Sequence, residues 1–208
     1  MESVVIALTV LLCVVPRALE AAGNAPQVTC GTLVKLQHVK TGVRLHSHEV
    51  TYGSGSGQQS VTGNAGSDDV NSYWSVSGPK EANSSPCKRG EPIKCNGKIR
   101  LRHSTTNRHL HSHHFQSPLS NNQEVSAYGD KEHSDTGDNW QVVCSGKVWR
   151  KDTKVQLKHV DTDKYLYVQG ATFGHPIAGQ FEVSAFGSSS PDTHWKAMEG
   201  VFIKPTKK

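Results

Sequence analysis

The chain has 208 residues, 35% hydrophobic and 20% charged, with 19 glycines and a formal net charge of +5. That length suits one generous domain or two small ones, and the glycine content calls for many turns, which excludes a helical bundle. The basic residues are scattered without a Lys/Arg block interleaved with aromatics, which excludes a nucleic-acid-binding reading.

Val4 to Val15 is an apolar run broken only by Thr9, followed by Pro16, Arg17 and the small residues Ala18, Ala21, Ala22 and Gly23. This layout predicts a secretory signal peptide over residues 1–22, although Glu2 stands where a basic residue is usual. A run of about a dozen residues is too short for a bilayer, which needs roughly 20. No later stretch is long and apolar enough, so a mature protein without a membrane span is expected. Cys13 leaves with the signal, and Cys30, Cys87, Cys95 and Cys144 remain. Four cysteines in an oxidising compartment suggest two disulfides, with three possible connectivities. Asn83, followed by Ser84 and Ser85, is a glycosylation candidate in a polar stretch expected to be exposed.

Beyond the signal the chain repeats itself three times. Val34 to His48, Ile99 to His113 and Val155 to Gln169 share an apolar-x-Leu-x-His run, with a Leu seven positions after the His: His38 and Leu45, His103 and Leu110, His159 and Leu166. Gln123 to Gly129 matches Phe181 to Gly187, and Gln59 to Gly63 is a looser copy. Each unit closes on a Trp (Trp74, Trp140, Trp195), 36 or 37 residues after its His. Within each unit, apolar and polar residues alternate, which argues for half-buried strands. Thr41-Gly42, Thr106-Asn107 and Thr162-Asp163 read as hairpin turns between the first two strands. The Glu-Val-Ser-Ala run gives a third strand and the Trp run a fourth. Three such units, none able to bury its own face, predict an all-β fold, a β-trefoil. A propeller competes, but its blades are usually more numerous. The trefoil spans 28–204, with repeats at about 30–86, 95–148 and 152–202 and a tail at 205–208. Because the first and last strands of a unit are neighbours in this geometry, Cys30–Cys87 and Cys95–Cys144 are the expected pairs.

The Leu-x-His…Leu…Trp pattern resembles the MIR repeat. More narrowly, Arg44 to His48, Tyr52 to Gly63, Asn71 to Trp74, Leu110 to His114 and Trp195 to Gly200 resemble the stromal cell-derived factor 2 family, across essentially the whole mature chain. The resemblance implies a non-catalytic protein of the endoplasmic-reticulum lumen, needing no cofactor. It implies as partners an Hsp40-type co-chaperone and, through it, the luminal Hsp70, with misfolded proteins as clients. Relatives often end in a retention tetrapeptide of the His-Asp-Glu-Leu type. This chain ends on Lys204 to Lys208, so retention through a partner, secretion, or a longer natural C-terminus is expected. The alternative class is a carbohydrate-binding, lectin-like trefoil. An O-mannosyltransferase-like enzyme is disfavoured, because the sequence shows none of the membrane spans such enzymes carry.

His38, His103 and His159 occupy one equivalent position and are expected to be structural imidazoles bonded to turn backbone. His46/His48 and His111/His113 are i, i+2 pairs that resemble a zinc half-site. Unit three carries Tyr167 and Gln169 there, and no carboxylate or cysteine spacing completes a ligand set, so no metal is expected. No nucleophile elbow or phosphate-binding loop is present, and Gly53 to Gly57 reads as a plain glycine-rich loop. The candidate binding surface is Arg44, His46, His48 and Tyr52 with that loop, and Arg108, His111 and His113 as its second-unit copy.

Overall fold

The computed structural model describes residues 25–81 and 86–206. The signal segment, Asn83 and the last two lysines lie outside the described residues. The elements are β1 (Leu33–His38), β2 (Arg44–Thr51), β3 (Gln59–Asn64) and β4 (Trp74–Ser77) in unit one. Unit two holds β5 (Lys98–His103), β6 (His109–Gln116), β7 (Gln123–Tyr128) and β8 (Trp140–Cys144). Unit three holds β9 (Val155–His159), β10 (Tyr165–Tyr167), β11 (Phe181–Glu182), β12 (Ser184–Phe186) and β13 (Trp195–Val201). A 3-10 turn precedes each Trp strand, at Val70–Ser72, Thr136–Asp138 and Pro191–Thr193.

The fold is an all-β closed barrel. First and last strands of the units pair antiparallel in a circuit: β1 with β4, β4 with β5, β5 with β8, β8 with β9, β9 with β13, and β13 back to β1. The third strands close a second circuit, in which β3 pairs with β7, β7 with β12, and β11 with β3. In unit three the expected single third strand is split in two: β11 faces unit one and β12 faces unit two. The two circuits give short strands neighbours they could not do without, while β2 and β6 beyond Arg44 and His109 pair on one side only, with β3 and β7.

Alternation fills the interior. Val34, Leu36, Ile99, Leu101, Val155 and Leu157 are buried together with Leu45, Leu110 and Leu166. The three repeat tryptophans are fully buried, and each indole N–H donates to the carbonyl of the unit's second-strand Leu: Trp74 to Leu45 at 2.8 Å, Trp140 to Leu110 at 2.9 Å and Trp195 to Leu166 at 3.0 Å. The hairpin turns place Gly42, Asn107 and Asp163 at φ of 77°, 60° and 58°. Gly, Asn and Asp are the residues that reach this left-handed region at lowest cost. Cys30 is bonded to Cys87 and Cys95 to Cys144, with Cα separations of 6.1 and 5.2 Å.

Candidate functional site

The three repeated histidines form one motif three times. His38, His103 and His159 are fully buried against Trp195, Trp74 and Trp140, with ring centroids 4.9–5.1 Å apart. Their Nε2 atoms face the carbonyls of Asp192, Asn71 and Gly137 in the 3-10 turns, at 3.0, 2.8 and 2.9 Å. A carbonyl only accepts, so Nε2 carries the proton. Nδ1 is then the acceptor and takes the hydroxyl of Thr41, Thr106 or Thr162. Burial holds all three imidazoles below their usual pKa, hence neutral. They join one unit's turn to another's Trp strand and leave no ring nitrogen for chemistry.

The second-strand histidines line the junctions between units. In unit one, His46 Nδ1 donates to Asp69 Oδ2 at 2.6 Å, and His46 Nε2 accepts from His48 Nδ1 at 2.6 Å. Burial pushes the Asp69 carboxyl up, but hydrogen bonds from Ser72 and His46 outweigh it and hold the group below the usual carboxylate range. Burial, then the neighbouring His46, pushes His48 down. The result is a carboxylate–imidazole–imidazole chain whose far end, His48 Nε2, is an acceptor. The hydrogen bonds of His48 among the described residues go to His46 alone, so no activated hydroxyl or thiol accompanies it.

Unit two is built differently. His111 Nδ1 lies 3.0 Å from Asp138 Oδ1 and 3.5 Å from Asp135 Oδ1. Asp138, fully buried, accepts from the Ser134 hydroxyl at 2.6 Å and the Asp135 N–H at 3.1 Å through Oδ2. Gly137 is needed beside them, because a Cβ there would come within 2.4 Å of the His111 ring. His113 Nε2 donates at 3.1 Å to Glu124, a fully buried carboxylate on β7. Burial drives the Glu124 carboxyl up, yet the bonds from His113 and Ser56 bring it below its usual value. A cleft of about 430 Å³ opens between units two and three, lined by His111, His113, Tyr128, Asp135, Asp161 and Gln58 among others. In unit three Tyr167 occupies the His46/His111 position and stacks on Phe186 at 5.0 Å.

Several candidate residues sit elsewhere than expected. Arg44 is committed to Glu199 at 2.5 Å and to the Gly42 carbonyl at 2.9 Å, so its fork is not offered to a ligand. Tyr52 is 7% exposed, and its hydroxyl lies 3.0 Å from the carbonyls of both Val61 and Val125, which makes it a bolt between units one and two. Arg108 is not the copy of Arg44. The strand register aligns Arg44 with His109, through Arg44↔Asn64 and His109↔Tyr128. One residue of offset turns a strand side chain to the opposite face. Exposed Arg108 therefore faces Glu49, Thr51, Gln59 and Thr106 at the junction of units one and two. The glycine loop leaves His46 and His48 altogether. It lies on Glu124, which accepts from the Ser56 N–H at 3.2 Å and from the Ser56 hydroxyl. The loop of unit one thus clasps the carboxylate that holds His113 of unit two.

A MIR-domain family model matches residues 45–166. Over 186 residues the chain is 53% identical to stromal cell-derived factor 2 of Mus musculus, covering 89% of this chain and 87% of that one. The chain belongs to the stromal cell-derived factor 2 family. It is also 50% identical over 196 residues to stromal cell-derived factor 2-like protein 1 of Homo sapiens, covering 94% and 87% of the two chains. The crystal structure of the SDF2-like protein from Arabidopsis thaliana superposes with a TM-score of 0.83 at 45% identity, over 87% of this chain and 99% of that one.

Within this stromal cell-derived factor 2 family member, the partners of the second-strand histidines were the residues the sequence reading missed. Asp69 and Asp135 both stand five positions before the unit's Trp, and that spacing was the available signal. Glu124 repeats as Glu182 in the shared Glu-Val-Ser-Ala run, with Ser60 in unit one, whereas Asp138 has Ser72 and Thr193 in its places and carries no repeat.

Proposed function

We propose that the chain is a three-repeat MIR β-trefoil, delivered by the segment 1–22 to the endoplasmic-reticulum lumen, which serves there as an accessory of an Hsp40/Hsp70 chaperone pair without catalysis of its own. The kinship to stromal cell-derived factor 2 over most of both chains carries this reading. Further features favour it. The threefold histidines are spent on internal bonds, and the His46–His48 chain has no nucleophile beside it. Two disulfides fit an oxidising compartment, and no helix among the described residues is long and apolar enough to cross a membrane.

Phe115 and Leu119, 49% and 42% exposed on the β6–β7 hairpin, are the apolar side chains this reading assigns to partner contact. Affinity purification from secretory-pathway extracts is expected to recover both an Hsp40-type protein and the luminal Hsp70, and Phe115→Asp is expected to lower that recovery with the thermal midpoint unchanged. Recovery of neither partner with the unmodified chain ends the reading.

A further inference from the structure

We propose that the junction of units two and three binds one divalent first-row metal ion of the zinc class, ligated by His111, Asp135 and Asp138. One ligand atom from each of His111, Asp135 and Asp138 lies within 4.8 Å of the other two. With metal–ligand bonds of about 2.0 Å, the edge of a tetrahedral site is about 3.3 Å. The two distances from the imidazole, 3.5 and 3.0 Å, bracket that edge. The ion would take Nδ1 in the Nε2–H tautomer, and the imidazole-plus-carboxylate donor set suits zinc and manganese better than calcium.

Unit one supplies the internal comparison. There a single carboxylate bonds a single imidazole at 2.6 Å, and a serine hydroxyl, Ser72, fills the position of Asp138. That arrangement is a complete hydrogen-bonded pair. Unit two sets a second, fully buried carboxylate, Asp138, against the same imidazole, while Asp135 Oδ1 also caps the turn by accepting from the Gly137 N–H at 2.9 Å. Arg100 meets the Ser134 hydroxyl at 2.7 Å, and that hydroxyl donates to Asp138. Two residues before His111 on β6, buried His109 keeps Nδ1 without a partner. Two carboxylates set against one imidazole are balanced by a bound cation. Asp135 is half exposed on the cleft, which gives the ion a way in and water for the remaining coordination position. The expectation of no metal rested on the absence of a carboxylate spacing to complete the His111/His113 pair. The fold supplies one from the 3-10 turn, up to 27 residues along the chain.

The test is calorimetric titration of the chelator-stripped, full mature chain with zinc chloride alone, with native mass spectrometry for stoichiometry. One ion per chain is expected, with affinity weakened at least about tenfold by His111→Gln and by Asp135→Asn. His133→Asn, which removes the exposed His133–Asp130 pair at 2.9 Å, is expected to leave binding unchanged. No stoichiometric binding overturns the proposal, and so does full affinity in the His111→Gln/Asp135→Asn double variant. Should those variants unfold, cobalt loading of the unmodified chain decides: paramagnetic broadening centred on the His111 ring supports the site, and broadening confined to His48, His114 or His133 overturns it.

Discussion

At the scale of single residues, the glycine loop shows how a feature that looks like a ligand-binding device is a structural one. Gly55 and Gly57 share a φ of +67°, but their surroundings differ. A Cβ at Gly55 would meet Glu124 Oε2 at 2.0 Å, whereas nothing stands within 4 Å of one at Gly57. Both alanine variants incur the left-handed backbone cost of about 1 kcal/mol. Only Gly55→Ala also pushes the loop off Glu124 and leaves a buried carboxylate short of donors, adding about 1–3 kcal/mol. Urea unfolding followed by tryptophan fluorescence is expected to show Gly55→Ala less stable than Gly57→Ala by that margin. Equal midpoints would mean that the loop does not hold the carboxylate.

At the scale of elements, the frame was legible because barrel symmetry repeats it: Leu36, Leu101 and Leu157 stand at one register, each followed by a His and closed by a Trp. The candidate site was legible only in part. His46, His48, His111 and His113 were found because they are local i, i+2 pairs. Their carboxylates come from turns 23 to 27 residues away and from a neighbouring strand, contacts that only the closed fold creates. Arg108 was misplaced for a simpler reason, a one-residue slip that crosses from one strand face to the other. The same view of elements shows that the first and last strands of every unit pair over very few residues, β1 with β4, β5 with β8 and β9 with β13. β5 and β8 share only Lys98↔Gln141 and Ile99↔Trp140, and the Cys95–Cys144 bond encloses that pairing across 49 residues. Replacing both cysteines by serine is expected to cost about 2–5 kcal/mol. Amide exchange should rise first at Ile99 and Trp140 rather than across the long β2–β3 hairpin. Uniform acceleration over all strands would instead place the effect on the unfolded chain.

At the scale of the whole molecule, the three buried imidazoles act together because the fold repeats their environment. His38, His103 and His159 are neutral in the folded state, each below its ordinary value of 6.5 through burial. Below about pH 6.5 the unfolded chain therefore binds protons that the folded chain refuses, and stability falls as the pH falls. The three contributions act in the same direction, each with a slope bounded by about 1.4 kcal/mol per pH unit. Asp69 and Glu124 carry the opposite kind of shift. Their folded values are depressed, so their contribution is complete above about pH 4.5 and is lost only as the pH drops through those lower values. Acid should therefore weaken the protein in two stages, the histidines first and the carboxylates later. Urea midpoints measured from pH 8 to pH 4 are expected to hold steady down to about 6.5 and then decline, and His103→Gln, which cannot take a proton, should make the first decline shallower. A stability profile that stays flat from pH 8 to pH 5 would show that these imidazoles are not held neutral. The threefold frame would then contribute packing without the pH sensitivity that its buried Thr–His–carbonyl chains predict.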